Sequence, residues 1–199
     1  MRFTSYNSTM SFTWTPHRFV GGALAFDIAN SVILRHLPER RLDRLADPAN
    51  LAALPQAASA HSAERASFGV LHPLSPQDAP QLLALREAID RYFRARAEGR
   101  EDDRLLADLL EEIAGAIRRD PAKGDLIAST ARSALMLISS PAADRTKVCG
   151  HCGWLFIDRS KNRSRLWCDM AICGNREKAS RHYAARRGKP AGDDTEEKP

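Results

Sequence analysis

All four cysteines of this 199-residue chain lie between positions 149 and 173. They are spaced Cys149-x2-Cys152 and Cys168-x4-Cys173, with fifteen residues between the pairs. Two pairs flanking a hairpin-sized insert are the pattern of a four-thiolate zinc site. Zinc takes four soft or borderline donors in a tetrahedron, each sulfur about 2.3 Å away. A C-x-x-C turn offers two sulfurs to one side of an ion, and Gly150 and Gly153 allow the backbone to turn tightly. Neighbouring N–H groups, with Lys147, Arg165 and Arg176 further out, offset the thiolate charge. The spacing predicts one structural zinc ion held by Cys149, Cys152, Cys168 and Cys173. Two disulfides are the rival reading, but four cysteines in one short window are not a secreted scaffold. A redox C-x-x-C lacks its strand–turn–helix context. An iron–sulfur cluster is the less common occupant of such spacing. His151 sits between two ligands and would need the opposite facing, so it is not counted as a donor.

The same region carries the charge. Residues 1–143 hold 17 Lys/Arg and 17 Asp/Glu, residues 144–190 hold 12 against 4, and residues 191–199 hold 1 against 4. A neutral body, a cationic module and a short acidic tail point to a polyanionic partner for the module. Within the insert, Trp154–Ile157 reads as a strand and 165–167 as its return, with Asp158, Ser160, Asn162 and Ser164 as turn formers. Trp154, Phe156 and Trp167 are expected to pack around the metal, since so small a module has no other core. Stacking on bases is their alternative use. After Cys173, Asn175 reads as an N-cap and opens a helix that ends at Gly188 and Pro190. Knuckle, hairpin, second cysteine pair and helix make a treble-clef-like order.

The elements that must carry this module read as mostly helical. Phe19 and Val20 suggest a short strand, and a helix follows from Leu24. Gly21-Gly22 lacks the spacing of a phosphate loop and reads as a turn. Residues 38–47 look loop-like. Asp47-Pro48 reads as N-cap and first residue of a helix through Leu51 and Leu54. Residues 55–80, with four prolines, are the loosest part, and Ser75-Pro76 repeats the helix-start chemistry. Two helices then show a clear 3.6 period, through Leu82, Leu85, Ile89, Tyr92 and Phe93, and through Leu105, Leu109, Ile113 and Ala116. Gly99 suits the end of the first, and Asp102 or Asp103 the cap of the second. A third helix is expected over 125–138. Glu111 and Glu112 read as a solvated face, and His17, His36, His61 and His72 as isolated residues without a catalytic partner. The fold class expected is α+β with a predominantly helical N-terminal domain and a small treble-clef-like zinc finger at the C-terminus. The expected divisions are a disordered leader over 1–15, the helical domain over 16–143, the finger over 144–188 and a disordered acidic tail over 189–199.

The motif Cys173-Gly174-Asn175-Arg176, with C-G-W-L-F-I-D-R-S, R-L-W-C-D-M-A-I-C-G-N-R and E-K-A-S-R-H-Y, closely resembles the CGNR zinc-finger family. Upstream, F-V-G-G-A-L-A-F-D-I-A-N-S resembles the opening of the ABATE domain, which commonly precedes that finger. L-A-D-P-A-N-L and L-R-E-A-I fit the domain more loosely. The resemblance covers about residues 17–187. It implies a bacterial, stress-induced transcription regulator, with the four cysteines as zinc ligands and a first domain that senses an unidentified small-molecule effector. Where the family tends toward L-D-F-V-N-T this chain has F-D-I-A-N-S, which marks Asp27 and Asn30 as candidates for a ligand pocket. Helix capping and local hydrogen bonding are the other reading of both.

The expected function is zinc-dependent DNA binding. Phosphate contacts fall to Lys161, Arg163, Arg165, Lys178, Arg181 and Arg186, with Arg176 at the helix start. A homodimer would supply the area that sequence recognition needs. The alternative is a finger that binds RNA or a protein partner. An enzyme would need an open metal position, which four cysteines close, so no catalysis is expected. With no apolar run long enough for a membrane span or a signal peptide, a cytoplasmic location and no membrane partner are expected.

Overall fold

Between residues 79 and 118 the chain carries two long stretches of apolar periodicity, and these pack on each other. In a computed structural model, which describes residues 12–118 and 123–187, helix α4 is Ala79–Ala97 and α5 is Asp103–Arg118. Leu82, Leu85, Ile89 and Phe93 of α4 are buried against Leu109, Ile113 and Ala116 of α5. Gly99 ends α4 with φ +74°, a conformation that costs glycine little. Asp102 caps α5, its Oδ1 accepting from Arg104 N at 2.9 Å. Helix α6, Leu126–Ile138, is capped by Asp125, which accepts from Ala128 N at 2.7 Å.

At the centre lies a six-residue helix, α1, Leu24–Ala29, all of it buried. It packs against both α4 and α6, and Phe26 meets Phe93 edge-to-face with centroids 5.0 Å apart. Phe19 closes a 3-10 turn, Pro16–Phe19, rather than the expected strand, because the proline start favours a turn. The loop-like stretch before residue 47 contains β2, Leu42–Asp43, paired antiparallel with β1, Val32–Ile33. Helix α2, Pro48–His61, starts on Asp47 as expected but runs through Pro55, so residues 55–61 are helical rather than loose. A short helix, α3, Arg65–Phe68, follows. Ser75 accepts from Gln77 N at the next helical start.

The finger's sheet is a pair, β3, Thr146–Val148, and β4, Leu155–Ile157, in register Lys147↔Phe156. The hairpin therefore closes across the C-x-x-C knuckle. The insert supplies β4, but its partner is β3 from before the knuckle, and residues 165–167 are not its return. Strand β4 alternates in the way a period of 2 requires. Leu155 and Ile157 join the body's hydrophobic core, while Phe156 faces the cysteines with Trp154. The fold is α+β and predominantly helical. Of the expected leader, Trp14 is partly buried on the core and its indole donates to Asn50 O at 2.9 Å. Residues 1–11 and the acidic tail lie outside the described residues.

Candidate metal centre and basic face

The knuckle forms because its backbone has few other choices. Cys149 N donates to Trp154 O at 2.8 Å and Gly153 N to Cys149 O at 2.9 Å. Gly153 has φ +76°, a left-handed turn that a side chain would strain. At Gly150 a Cβ would come within 2.9 Å of the Trp167 ring, so the indole lies directly on the turn.

The second pair is set by Asp169 rather than Asn175. Asp169 Oδ1 accepts from Ala171 N at 2.8 Å and Ile172 N at 3.2 Å, and its backbone carbonyl accepts from Cys173 N at 2.9 Å. The helical chain thus begins as a wide turn, Met170–Gly174, which runs into α7, Asn175–Arg187. Asn175 is inside it, and its Nδ2 donates back to Ala171 O. The wide turn puts Cys173 two residues ahead of α7, facing Cys168. Asp169 Oδ2 also bonds His17 Nδ1 at 2.9 Å. That contact ties the helix start to the body.

The four sulfurs all lie within 4.8 Å of one another and all four cysteines are buried. Cys152–Cys168 and Cys168–Cys173 are separated by 3.6 and 3.7 Å. A disulfide needs about 2.05 Å, and the thiols are free. The edge of a tetrahedron of sulfurs around zinc is about 3.8 Å, given sulfurs about 2.3 Å from the ion. The donor set therefore fits one zinc ion. Without a cation the sulfurs cannot ionise together. Hydrogen bonds from Cys152, Cys168 and Cys173 push the Cys149 thiol down, while contact with Cys149 pushes Cys152 and Cys168 up. A divalent ion removes that conflict by binding four thiolates. Such a closed site orders the chain and leaves no coordination position for chemistry.

Arg165 braces the centre from outside. Its Nη2 donates to Cys168 O at 2.5 Å and Trp167 O at 3.2 Å, and its guanidinium lies 5.3 Å from the Phe156 ring centroid. Asp158, expected only as a turn former, is fully buried. It accepts from Ser160 N at 2.9 Å, Arg165 N at 3.0 Å and Lys147 Nζ at 2.9 Å. Burial pushes its carboxyl up, but these donors outweigh burial and hold it below the ordinary carboxylate range. Lys147 also reaches the carbonyls of Arg163 and Arg165. The insert is thus a loop wrapped on one carboxylate. A lone Asp after a strand carried no sequence signal of this; Asp169 before a short apolar run did.

Residues 22–145 match the family model ABATE, described as "Putative stress-induced transcription regulator", and residues 145–187 match the CGNR zinc finger. The chain belongs to the ABATE family. No curated protein matches it. The four-cysteine group is the structural zinc site of its CGNR finger.

The basic residues expected to face a partner divide into two sets. Lys161, Arg163, Arg176, Lys178 and Arg181 are exposed and make no salt bridge among the described residues. Arg165 is half-buried and tied to carbonyls, so its charge serves the finger's interior first. The Arg186 side chain lies outside the described residues.

In the ABATE body, Asp27 and Asn30 are buried. Asp27 accepts from Gly21 N at 3.1 Å and from Ser62 Oγ at 2.8 Å. Burial pushes its carboxyl up to about 8 against the pull of those donors, and Glu64 adds to the rise. Asn30 bonds the backbone of Leu155 in β4. Glu64 accepts from Leu24 N at 2.7 Å and from Ser133 Oγ at 2.6 Å. No helix among the described residues is long and apolar enough to cross a membrane.

Proposed function

We propose that this ABATE–CGNR chain is a DNA-binding transcription regulator whose zinc-ordered finger grips the phosphate backbone. The observation that carries the reading is the set of exposed cations on and beside α7. Arg176, Lys178 and Arg181 follow the last cysteine directly, and none has a salt-bridge partner among the described residues. Metal binding fixes where that helix starts, so it also fixes where those cations point. Lys161 and Arg163 add charge from the insert loop. Arg165 contributes chiefly by holding the Cys168 carbonyl. The ABATE body is the sensing half in this reading, and two chains together would give enough interface for an operator.

Titration of labelled duplex, single strand and RNA with the zinc-loaded protein at two salt concentrations tests the proposal. Duplex should bind best, and its log affinity should fall with log salt by about 0.9 per phosphate contacted. A preference for RNA, or binding indifferent to salt, would overturn it.

A further inference from the structure

Beside the cysteine cluster, the ABATE body and the CGNR finger enclose a cavity of about 490 Å3. Arg18, Arg40 and Arg44 line it from the body, and Trp154 and Arg176 from the finger. Four guanidiniums therefore converge on one space. The carboxylate on its wall, Glu177, lies 3.6 Å from His151. His17, also on the wall, is held by Asp169. Among the described residues, none of the four arginines makes a salt bridge or a side-chain hydrogen bond.

Two of them stand on aromatic rings instead. Arg44 lies 4.3 Å from the Phe12 centroid, and Arg18 lies 5.4 Å from Phe12 and 5.9 Å from Trp154. Stacking fixes a guanidinium by its face and leaves the N–H edge for an acceptor. The Nε–H groups of Arg18 and Arg44 and the indole N–H of Trp154 are buried without an acceptor. They are three of the five such buried side-chain nitrogens among the described residues, and all three residues line this cavity. Burial lowers the affinity of Arg18 and Arg44 for their protons, and repulsion adds to this, from Arg176 at Arg18 and from Arg18 at Arg44. The Cys152 sulfur offsets part of this at Arg18, but four guanidiniums against one wall carboxylate leave an excess of positive charge that a multiply charged oxyanion relieves. A carboxylate offers one charge and two oxygens. A phosphate offers more of both, and matches the guanidinium fork.

We propose that this junction cavity is a phosphate-binding site in which Arg18, Arg44 and Arg176 hold one phosphate group, with Arg40 at the rim. The phosphate belongs either to a nucleic-acid backbone lying across the junction or to a free phosphorylated molecule. The site stands whether or not α7 grips nucleic acid. Its donors come from both halves of the chain, so a bound phosphate ties the body to the finger.

The test uses the full-length, zinc-loaded protein, with inorganic phosphate and a short duplex as separate probes. Phosphate should raise the melting temperature where sodium chloride of equal ionic strength does not. Arg44→Gln should weaken phosphate binding about tenfold and the rim Arg40→Gln by a smaller, measurable factor of about two to three, and Arg44→Lys should restore part of the Arg44 loss. If duplex affinity also falls, with a salt slope shallower by about 1, the phosphate is a backbone one. If only the phosphate response falls, the site takes a free phosphorylated molecule. Zinc content and circular dichroism establish that each variant folds, and the exposed Arg40→Gln carries the test if Arg44→Gln does not. Neither probe responding differently in folded variants would overturn the site.

Discussion

Asn30 holds both backbone polar groups of Leu155: its Nδ2 donates to Leu155 O at 2.9 Å, and its Oδ1 accepts from Leu155 N at 2.8 Å. A side-chain amide of the body thus completes the free edge of the finger's β4. Ile157 N donates to Gly21 O at 3.0 Å on the same edge. Replacing Asn30 by Ala orphans two buried groups and should cost about 2–5 kcal/mol. Asn30→Asp should be no better, since a carboxylate cannot donate to Leu155 O. Denaturant midpoints measure both.

Zinc removal should reach beyond the finger. Leu155 and Ile157 lie in the body's core, so loosening the knuckle loosens the packing behind it. A chelator should lower the melting temperature of the helical signal as well as that of the finger's tryptophans, in one transition. Cys173→Ser should bind zinc more weakly and show the same loss without chelator. Two separate transitions, with the helical one unmoved, would contradict the shared core.

Asp27 should make stability fall with rising pH. Its carboxyl is at about 8 in the fold against an ordinary 3.8. The native state therefore binds the extra proton between those values, and unfolding releases it. That contribution is fully present below pH 3.8 and is lost as pH rises through about 8. The slope is up to about 1.4 kcal/mol per pH unit. Asp27→Asn, which is always neutral, should remove this slope, seen as a flatter plot of unfolding free energy against pH than the wild type gives.

Asp158→Asn should unravel the insert. The amide keeps an acceptor for Ser160 N, but it loses the charge facing Lys147 and offers N–H where Arg165 N needs an oxygen. The loss should be about 2–4 kcal/mol. Faster protease cleavage between residues 159 and 165, with zinc retained, is the expected signature.

How legible all this was depends on whether a feature is local. The metal donors were legible because spacing alone limits which sulfurs can share an ion. The caps at Asp47, Ser75 and Asp102 were legible because a cap acts within three residues. The helices α4 to α6 followed from periodicity. Strand β3 was missed because Thr146–Val148 has no apolar pattern of its own; pairing with β4 makes it a strand. Asn175 looked like a cap by type, but Asp169 takes that role and starts the helical chain earlier. Asn30 acts across most of the chain, on Leu155, and Asp158 reaches back across the knuckle to Lys147. Nothing in either residue's neighbourhood announced its partner. The arginines around the junction cavity come from three separated places in the chain, and only the fold brings them together.

Strand β4 is three residues long, yet it faces two interiors at once. One consequence concerns how news of an effector would travel. The body has no slack tether through which to swing the finger, so a stimulus there would have to change how Leu155 and Ile157 seat. The same displacement would lever Phe156 against the cysteines. A severed body, ending at residue 143, would be left with a greasy gap where those two side chains belong, and would be expected to clump.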